Sequence, residues 1–227
     1  MKIALIGYGK MGKMVEKAAI EKGHVIIKII DSSLAFNTRA INDLSEADVC
    51  IDFTTPTQVL KIVSTLANLG KNIVIGTTGW EEHLNEVKNI GYTKNIGILH
   101  DSNFSIGMHL FIKILQEASE KILPTGSYDI AGVESHHKQK LDTPSGTAKS
   151  ITKAICKTMK TDIQIPFTSV RCGSIPGTHT ILFDSPFDTI TLTHTARSRE
   201  GFANGAIQAA EWLQGKKGFY TLSDIYS

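Results

Sequence analysis

Gly7, Gly9 and Gly12 of the run G-Y-G-K-M-G, arriving directly after the apolar stretch Lys2 to Ile6, constrain this chain more than any other feature. A short buried strand followed at once by G-x-G-x-x-G spacing has to turn sharply and begin a helix, expected here over Met11 to Lys22. The unpaired N–H groups and partial positive charge at that helix start suit a phosphate. A second apolar strand is expected at Val25 to Ile30, and Asp31 follows it, nineteen residues past Gly12, where an acid accepts hydrogen bonds from ribose hydroxyls. Three glycines alone make a tight turn. With the second strand and the acid in place, they predict a nicotinamide dinucleotide held by Gly7, Tyr8, Gly9, Lys10, Met11, Gly12 and Asp31.

The alternation continues. Strands are expected at Ala47 to Phe53, Asn72 to Ile75 and Ile96 to Leu99, with helices at Thr57 to Leu69 and Glu81 to Asn89. Strands interleaved with helices imply an α/β fold, a Rossmann-like doubly wound parallel sheet whose ligands lie at the carboxyl ends of its strands. Phe53 and Thr54, then Gly76, Thr77 and Thr78, then Asp101, Ser102, Asn103 and Phe104 fall at such ends and join the expected cofactor contacts. Fewer than twenty residues separate Asp31 from the next strand, so the sheet is expected to be abbreviated over 32–46.

A long helix, Phe104 to Leu123, with Phe111, Ile114, Leu115, Ala118 and Ile122 as its apolar stripe, is expected to open a second, α+β domain. Ser127 to Ser135, Phe167 to Arg171, Thr178 to Asp184 and Thr189 to Thr195 alternate like strands joined by Gly- and Pro-bearing turns, which suggests an open mixed sheet with one bare face in need of a cover. An Ala-rich helix, Phe202 to Leu213, follows. The domains expected are 1–103 for the dinucleotide, with 203–227 returning to it, and 104–202 for substrate and self-association.

The stretch Val133 to Ser150, V-E-S-H-H-K-Q-K-L-D-T-P-S-G-T-A-K-S, packs two imidazoles, two ammonium groups and a Pro-Ser-Gly-Thr turn between a strand end and a helix start, with Ser145 as N-cap of Thr147 to Met159. Gly146 and Thr147 at that start, with Lys140, suit a carboxylate, while imidazoles add proton donors that an anion cradle alone does not need. One such histidine would be an ordinary loop residue; the joint occurrence points to chemistry on a carboxylate-bearing substrate.

The block E-x-H-H-x-x-K-x-D-x-P-S-G-T-A resembles the substrate-binding signature of dihydrodipicolinate reductases, and D-F-T, G-T-T-G and x-x-N-F-S recur in that family's cofactor loops in the same order. The resemblance covers most of the chain, Arg171 to His179 and His194 to Phe202 included. It implies a reductase of lysine and diaminopimelate biosynthesis that passes hydride from NADH or NADPH to a cyclic imine dicarboxylate. By motif position His136 is the general acid, Lys140 a second catalytic cation, and His137, Gly146 and Thr147 hold the substrate carboxylates. It also implies a homotetramer formed through the open sheet, and return of the C-terminal segment to the cofactor domain. The glycine loop is one residue shorter than the family's common G-x-x-G-R-M-G, with Lys10 where an Arg is frequent. Asp31 repels a 2′-phosphate, Ser32, Ser33 and Leu34 supply no cation, and the first base beyond them is Arg39, so NADH is expected to serve at least as well as NADPH.

A net charge of +2 with the two signs interspersed argues against a nucleic-acid binder and for a small-molecule partner. Cys50, Cys156 and Cys172 are odd in number and widely spaced, which is expected of reduced, buried thiols; with no signal-peptide core and no membrane-length apolar run, a cytoplasmic protein is expected. His179 and His194 beside His136 and His137 bring a metal to mind, but no ligand spacing supports one, and none is expected. A dinucleotide-sensing regulator would need the glycine loop and Asp31 but not His136 and Lys140. A dehydrogenase for another amino or keto acid would share the two-domain plan.

Overall fold

A computed structural model describes residues 1–31 and 44–226. These divide into two compact units, Met1–Ile106 with Glu200–Ser227, and Gly107–Arg199.

The first unit is built on six parallel strands, β1 (Lys2–Ile6), β2 (Val25–Ile30), β3 (Val49–Asp52), β4 (Asn72–Ile75), β5 (Gly97–His100) and β10 (Gly218–Tyr220), in the order β10-β5-β4-β3-β1-β2. Every residue of β3 is buried, as are Ile73 to Ile75 of β4 and Gly97 to Leu99 of β5, because helices cover both faces of the sheet. On one face lie α1 (Lys10–Glu21) and α6 (Glu200–Trp212), packed on Ile3, Leu5, Ile51 and Val74 through a seam of alanines; on the other lie α2 (Val59–Asn68) and α3 (Leu84–Thr93), closing over Ile6, Cys50, Ile73 and Ile75. Lys17 to Glu200 at 2.9 Å and Lys22 to Glu211 at 3.1 Å tie α6 to α1 at the surface.

The second unit carries α4 (Ile106–Ile122), β6 (Asp129–His136), α5 (Gly146–Met159), β7 (Phe167–Arg171), β8 (Thr178–Asp184) and β9 (Thr189–Thr195). Its sheet runs β7-β6-β8-β9, with β6 and β7 parallel and the remaining pairs antiparallel. Ile130, Ile181 and Phe183 pack under Met108, Phe111 and Leu115 of α4 and Ile151 and Ile155 of α5. Alternation sends Thr180, Leu182, Thr191 and Thr193 to the opposite face.

Several expectations need correction. The expected stripe of α4 included Ile114, which is 54 % exposed, while Met108 and Ser119 are buried; adjacent helical residues point about 100° apart, so Leu115 and Ile114 cannot both face the sheet. The helix expected at Glu81 to Asn89 is a 3-10 turn, Glu81–His83, continuing as α3 to Thr93. Strand β10 was not foreseen, being only Gly-Phe-Tyr with too few residues for a period to register. Of the three thiols only Cys50 is buried; Cys156 is half-buried and Cys172 exposed, because Cys172 lies just past the end of β7 in a turn. The segment expected to be abbreviated lies largely outside the described residues, as do Ser32, Ser33, Leu34 and Arg39.

Candidate active site

In the first unit the loops expected to hold a dinucleotide sit together at the carboxyl ends of the strands. Gly7 donates its N–H to Ile30 O at 2.8 Å and takes φ +88°, and a Cβ there would lie 2.3 Å from Phe53 O, so only glycine fits between β1 and the β3 loop. A Cβ on Gly12 would lie 2.3 Å from Gly7 O, which is how closely α1 begins on the turn. Gly9 caps α1 without a side-chain hydrogen bond, which leaves the first-turn N–H groups to an anion. Tyr8 folds back along α1, its hydroxyl donating to Glu16 and its ring under Lys13 Nζ at 5.7 Å from the centroid. Lys10 is exposed, and Asp31 directly follows β2. Met11, Phe53, Gly76, Ser102 and Phe104 line a cleft of about 200 Å3, joined by Phe202 of α6, which sequence reasoning missed because it comes from a distant part of the chain.

Two hydrogen-bonded links hold these loops in register. Asp52, fully buried at the end of β3, accepts from Thr77 Oγ1 at 2.9 Å, and Thr77 Oγ1 accepts from Thr54 N at 2.8 Å, so the β3 and β4 loops are joined through one carboxylate. Burial pushes the Asp52 carboxyl up to about 6, against the pull of Thr54 beside it and of the Thr77 hydrogen bond. Asp101 accepts from Asn103 N at 3.1 Å and Leu222 N at 3.2 Å, and Asn103 Oδ1 accepts from Ser105 N at 2.8 Å. Asp101 therefore shapes its own loop and anchors the C-terminal turn. Thr78 is exposed beside Thr77.

In the second unit β6 ends in Glu134-Ser-His136, and His137 starts the loop that leads to α5. Ser145 caps α5 as expected, its Oγ accepting from Ala148 N at 3.1 Å. Lys140 pairs with Asp142 at 2.7 Å, and the other oxygen of Asp142 accepts from Gly146 N at 3.2 Å. Thr147 is half-buried in the first turn of α5. His136 is buried, its Nδ1 3.8 Å from Glu134 Oε2 and its ring edge-on to His179 with centroids 5.1 Å apart. Burial holds the His136 imidazole below its ordinary value, with Glu134 pulling the other way, and burial together with His136 lowers His179 to about 4. Glu134, His136 and His179 offer donor atoms within 4.8 Å of one another, a grouping that sequence spacing concealed because His179 comes from β8 while the other two lie on β6.

The parts thus gathered are a phosphate-ready helix start with an apolar cleft in one unit, and in the other a carboxylate-ready helix start beside a cation and a buried imidazole. Residues 1–104 match the family described as "Dihydrodipicolinate reductase, N-terminus", and residues 107–226 match "Dihydrodipicolinate reductase, C-terminus". The chain belongs to the dihydrodipicolinate reductase family. Within that family it is 35 % identical to the 4-hydroxy-tetrahydrodipicolinate reductase of Christiangramia forsetii, over 100 % of this chain and 98 % of the relative. It is 36 % identical to that of Staphylococcus aureus, over 99 % and 100 %. A solved dihydrodipicolinate reductase from Paenisporosarcina sp. TG-14, with dipicolinate bound, superposes with a TM-score of 0.86 at 25 % identity, covering 99 % of each chain. Among the described residues no helix is long and apolar enough to cross a membrane.

Proposed function

We propose that this chain is a 4-hydroxy-tetrahydrodipicolinate reductase, forming tetrahydrodipicolinate for lysine and diaminopimelate synthesis. The observation that carries this reading is the seat of Asp142: its carboxylate already accepts from both Lys140 Nζ and Gly146 N, the two donors expected to receive a substrate carboxylate. A reduced nicotinamide supplies the hydride, which enters the unsaturated ring of the substrate. The chain's own residues do the rest. Gly7 to Gly12, Asp31, Phe53, Thr54, Gly76, Thr77, Thr78 and Asp101 to Phe104 form the dinucleotide site. Lys140, His137, Gly146 and Thr147 bind the carboxylates, and the Lys140 ammonium offsets electron density as the ring is reduced. The 4-hydroxyl of the substrate leaves as water to give the dihydrodipicolinate ring; hydride and the proton given by the His136 imidazolium, which is left neutral, then account for both hydrogens added to that ring. Burial disfavours the charged ring, and a bound dianion restores it, which couples the acid's readiness to substrate binding.

Asp31 and Lys10 support dual use of the cofactors, with NADH at least as effective as NADPH. The Thr-rich face of the second sheet supports a homotetramer, and the unpaired thiols support a cytoplasmic location. The test follows oxidation of NADH and of NADPH with the product of dihydrodipicolinate synthase against simple keto acids. Turnover confined to the first substrate is expected; no turnover, or equal turnover with keto acids, overturns the reading. A hundredfold preference for NADPH in kcat/KM, about 2.7 kcal/mol, overturns the role given to Asp31.

A further inference from the structure

Glu134 has no part in the scheme above, yet most of the groups that scheme takes from the second unit lead back to it. The register of the sheet sets Ser169 of β7 on one side of Glu134 and His179 of β8 on the other. Oε1 accepts from Ser169 Oγ at 2.7 Å, Arg171 Nη2 at 2.9 Å and Ser145 N at 3.0 Å. Oε2 lies 3.8 Å from His136 Nδ1 and 3.6 Å from His179 Nε2. Ser145 is the cap from which Gly146 and Thr147 begin α5, and Arg171 reaches on to Lys140 O at 3.3 Å and Asp142 O at 2.7 Å. One wholly buried carboxylate thus bonds the helix start and the clamp on the lysine loop and stands 3.8 Å from Nδ1 of the acid, a buried nitrogen with no hydrogen-bond partner among the described residues.

We propose that Glu134 is the positioning residue of this site, holding the Ser145 turn in place and drawing the His136 ring proton to Nδ1, so that Nε2 is the atom that carries the donated proton. The inference rests on the reading of His136 as the acid. Zinc is the competing use of the same trio. Donors on a tetrahedral zinc, bonded at about 2.0–2.1 Å, lie roughly 3.4 Å apart. Here they spread to 4.8 Å, and Glu134 is already engaged by three donors, one of them a guanidinium. A hydrogen-bonding hub fits better than a metal cage.

The charged and titratable groups facing His136 are Glu134 on its own strand, Lys140 and Asp142 on the loop, Arg171 on β7 and His179 on β8. Glu134 and Asp142 favour the imidazolium, while Lys140 and Arg171 oppose it. Activity needs the imidazolium and is lost as pH rises through its pKa, so removing the Glu134 charge must move that loss to lower pH. The experiment compares kcat/KM against pH in wild type and Glu134→Gln, with His136→Gln as control. A downward move of the alkaline limb by about one pH unit is expected. Unmoved limbs overturn the proposal. Should Glu134→Gln not fold, nitrogen NMR of the wild-type imidazoles decides: neutral His136 protonated on Nδ1 is expected, and protonation on Nε2 overturns it. Stoichiometric zinc bound by wild type and lost in His179→Gln would also overturn it. Undiminished turnover in His136→Gln sinks the acid assignment and this inference with it, whereas lost turnover there with unmoved limbs sinks this inference alone.

Discussion

Replacing Asp52 by Asn should stabilise the protein at neutral pH and leave it unchanged in acid. Asp52 is fully buried, one of its oxygens has no hydrogen-bond partner, and burial raises its pKa from 3.8 to about 6. A folded-state pKa above the unfolded one means that the native state holds the proton more tightly. Stability is therefore highest below pH 3.8, falls as pH rises towards 6, and stays reduced above that. The gap of about two units corresponds to about 3 kcal/mol lost by pH 8. Asn keeps an acceptor for Thr77 Oγ1 and turns its amide towards Thr54 Oγ1, itself buried without a partner, so the link between the loops survives. At roughly 2–4 °C per kcal/mol for a chain of this size, thermal melts at pH 8 should show the Asn variant about 6–12 °C higher, and melts near pH 4 should nearly coincide. A difference independent of pH, or a lower melting point for Asn at pH 8, would refute the claim that this carboxylate is held ionised at a cost.

His136→Gln should cut turnover by about 10²–10⁴-fold with the affinity for reduced cofactor, read by fluorescence titration, unchanged. Lys140→Ala should lower kcat as well; if only KM rises, the lysine binds ground and transition states alike. Asp142→Asn frees Lys140 and Gly146 N from an exposed pair, so a pyridine dicarboxylate should bind roughly threefold to fivefold more tightly by calorimetry, and weaker binding would mean that Asp142 orients the lysine instead.

The glycine fingerprint was legible because its physics is local: Gly7 turns within a few residues, and the strand before it and the helix after it are its sequence neighbours. The same holds for the cap at Ser145, whose bond to Ala148 spans three residues. What pattern reading could not reach depends on pairings across strands. Asp52 reads as one more acid at a strand end until Thr77, twenty-five residues on, is seen to donate to it. Glu134 meets Ser169, Arg171 and His179 only once β7 and β8 have settled on either side of β6. Phe202 reaches the cleft only because α6 packs back beside α1.

The two buried carboxylates, Asp52 and Glu134, show why such residues escape pattern reading yet matter to the site. Their environments diverge in a way that residue type alone cannot reveal. Asp52 has little beyond two threonines to oppose its burial, so its pKa rises to about 6. Glu134 is buried just as fully, yet Ser145, Arg171 and Ser169 outweigh that burial and hold its pKa at about 2. For Glu134, opposite to Asp52, the folded pKa lies below the unfolded one, so its stabilisation is present above about pH 4.5 and lost as pH falls towards 2. A carboxylate fixed in this way keeps a constant charge across the range in which the imidazoles titrate. That constancy lets it orient a proton donor without joining the proton transfer.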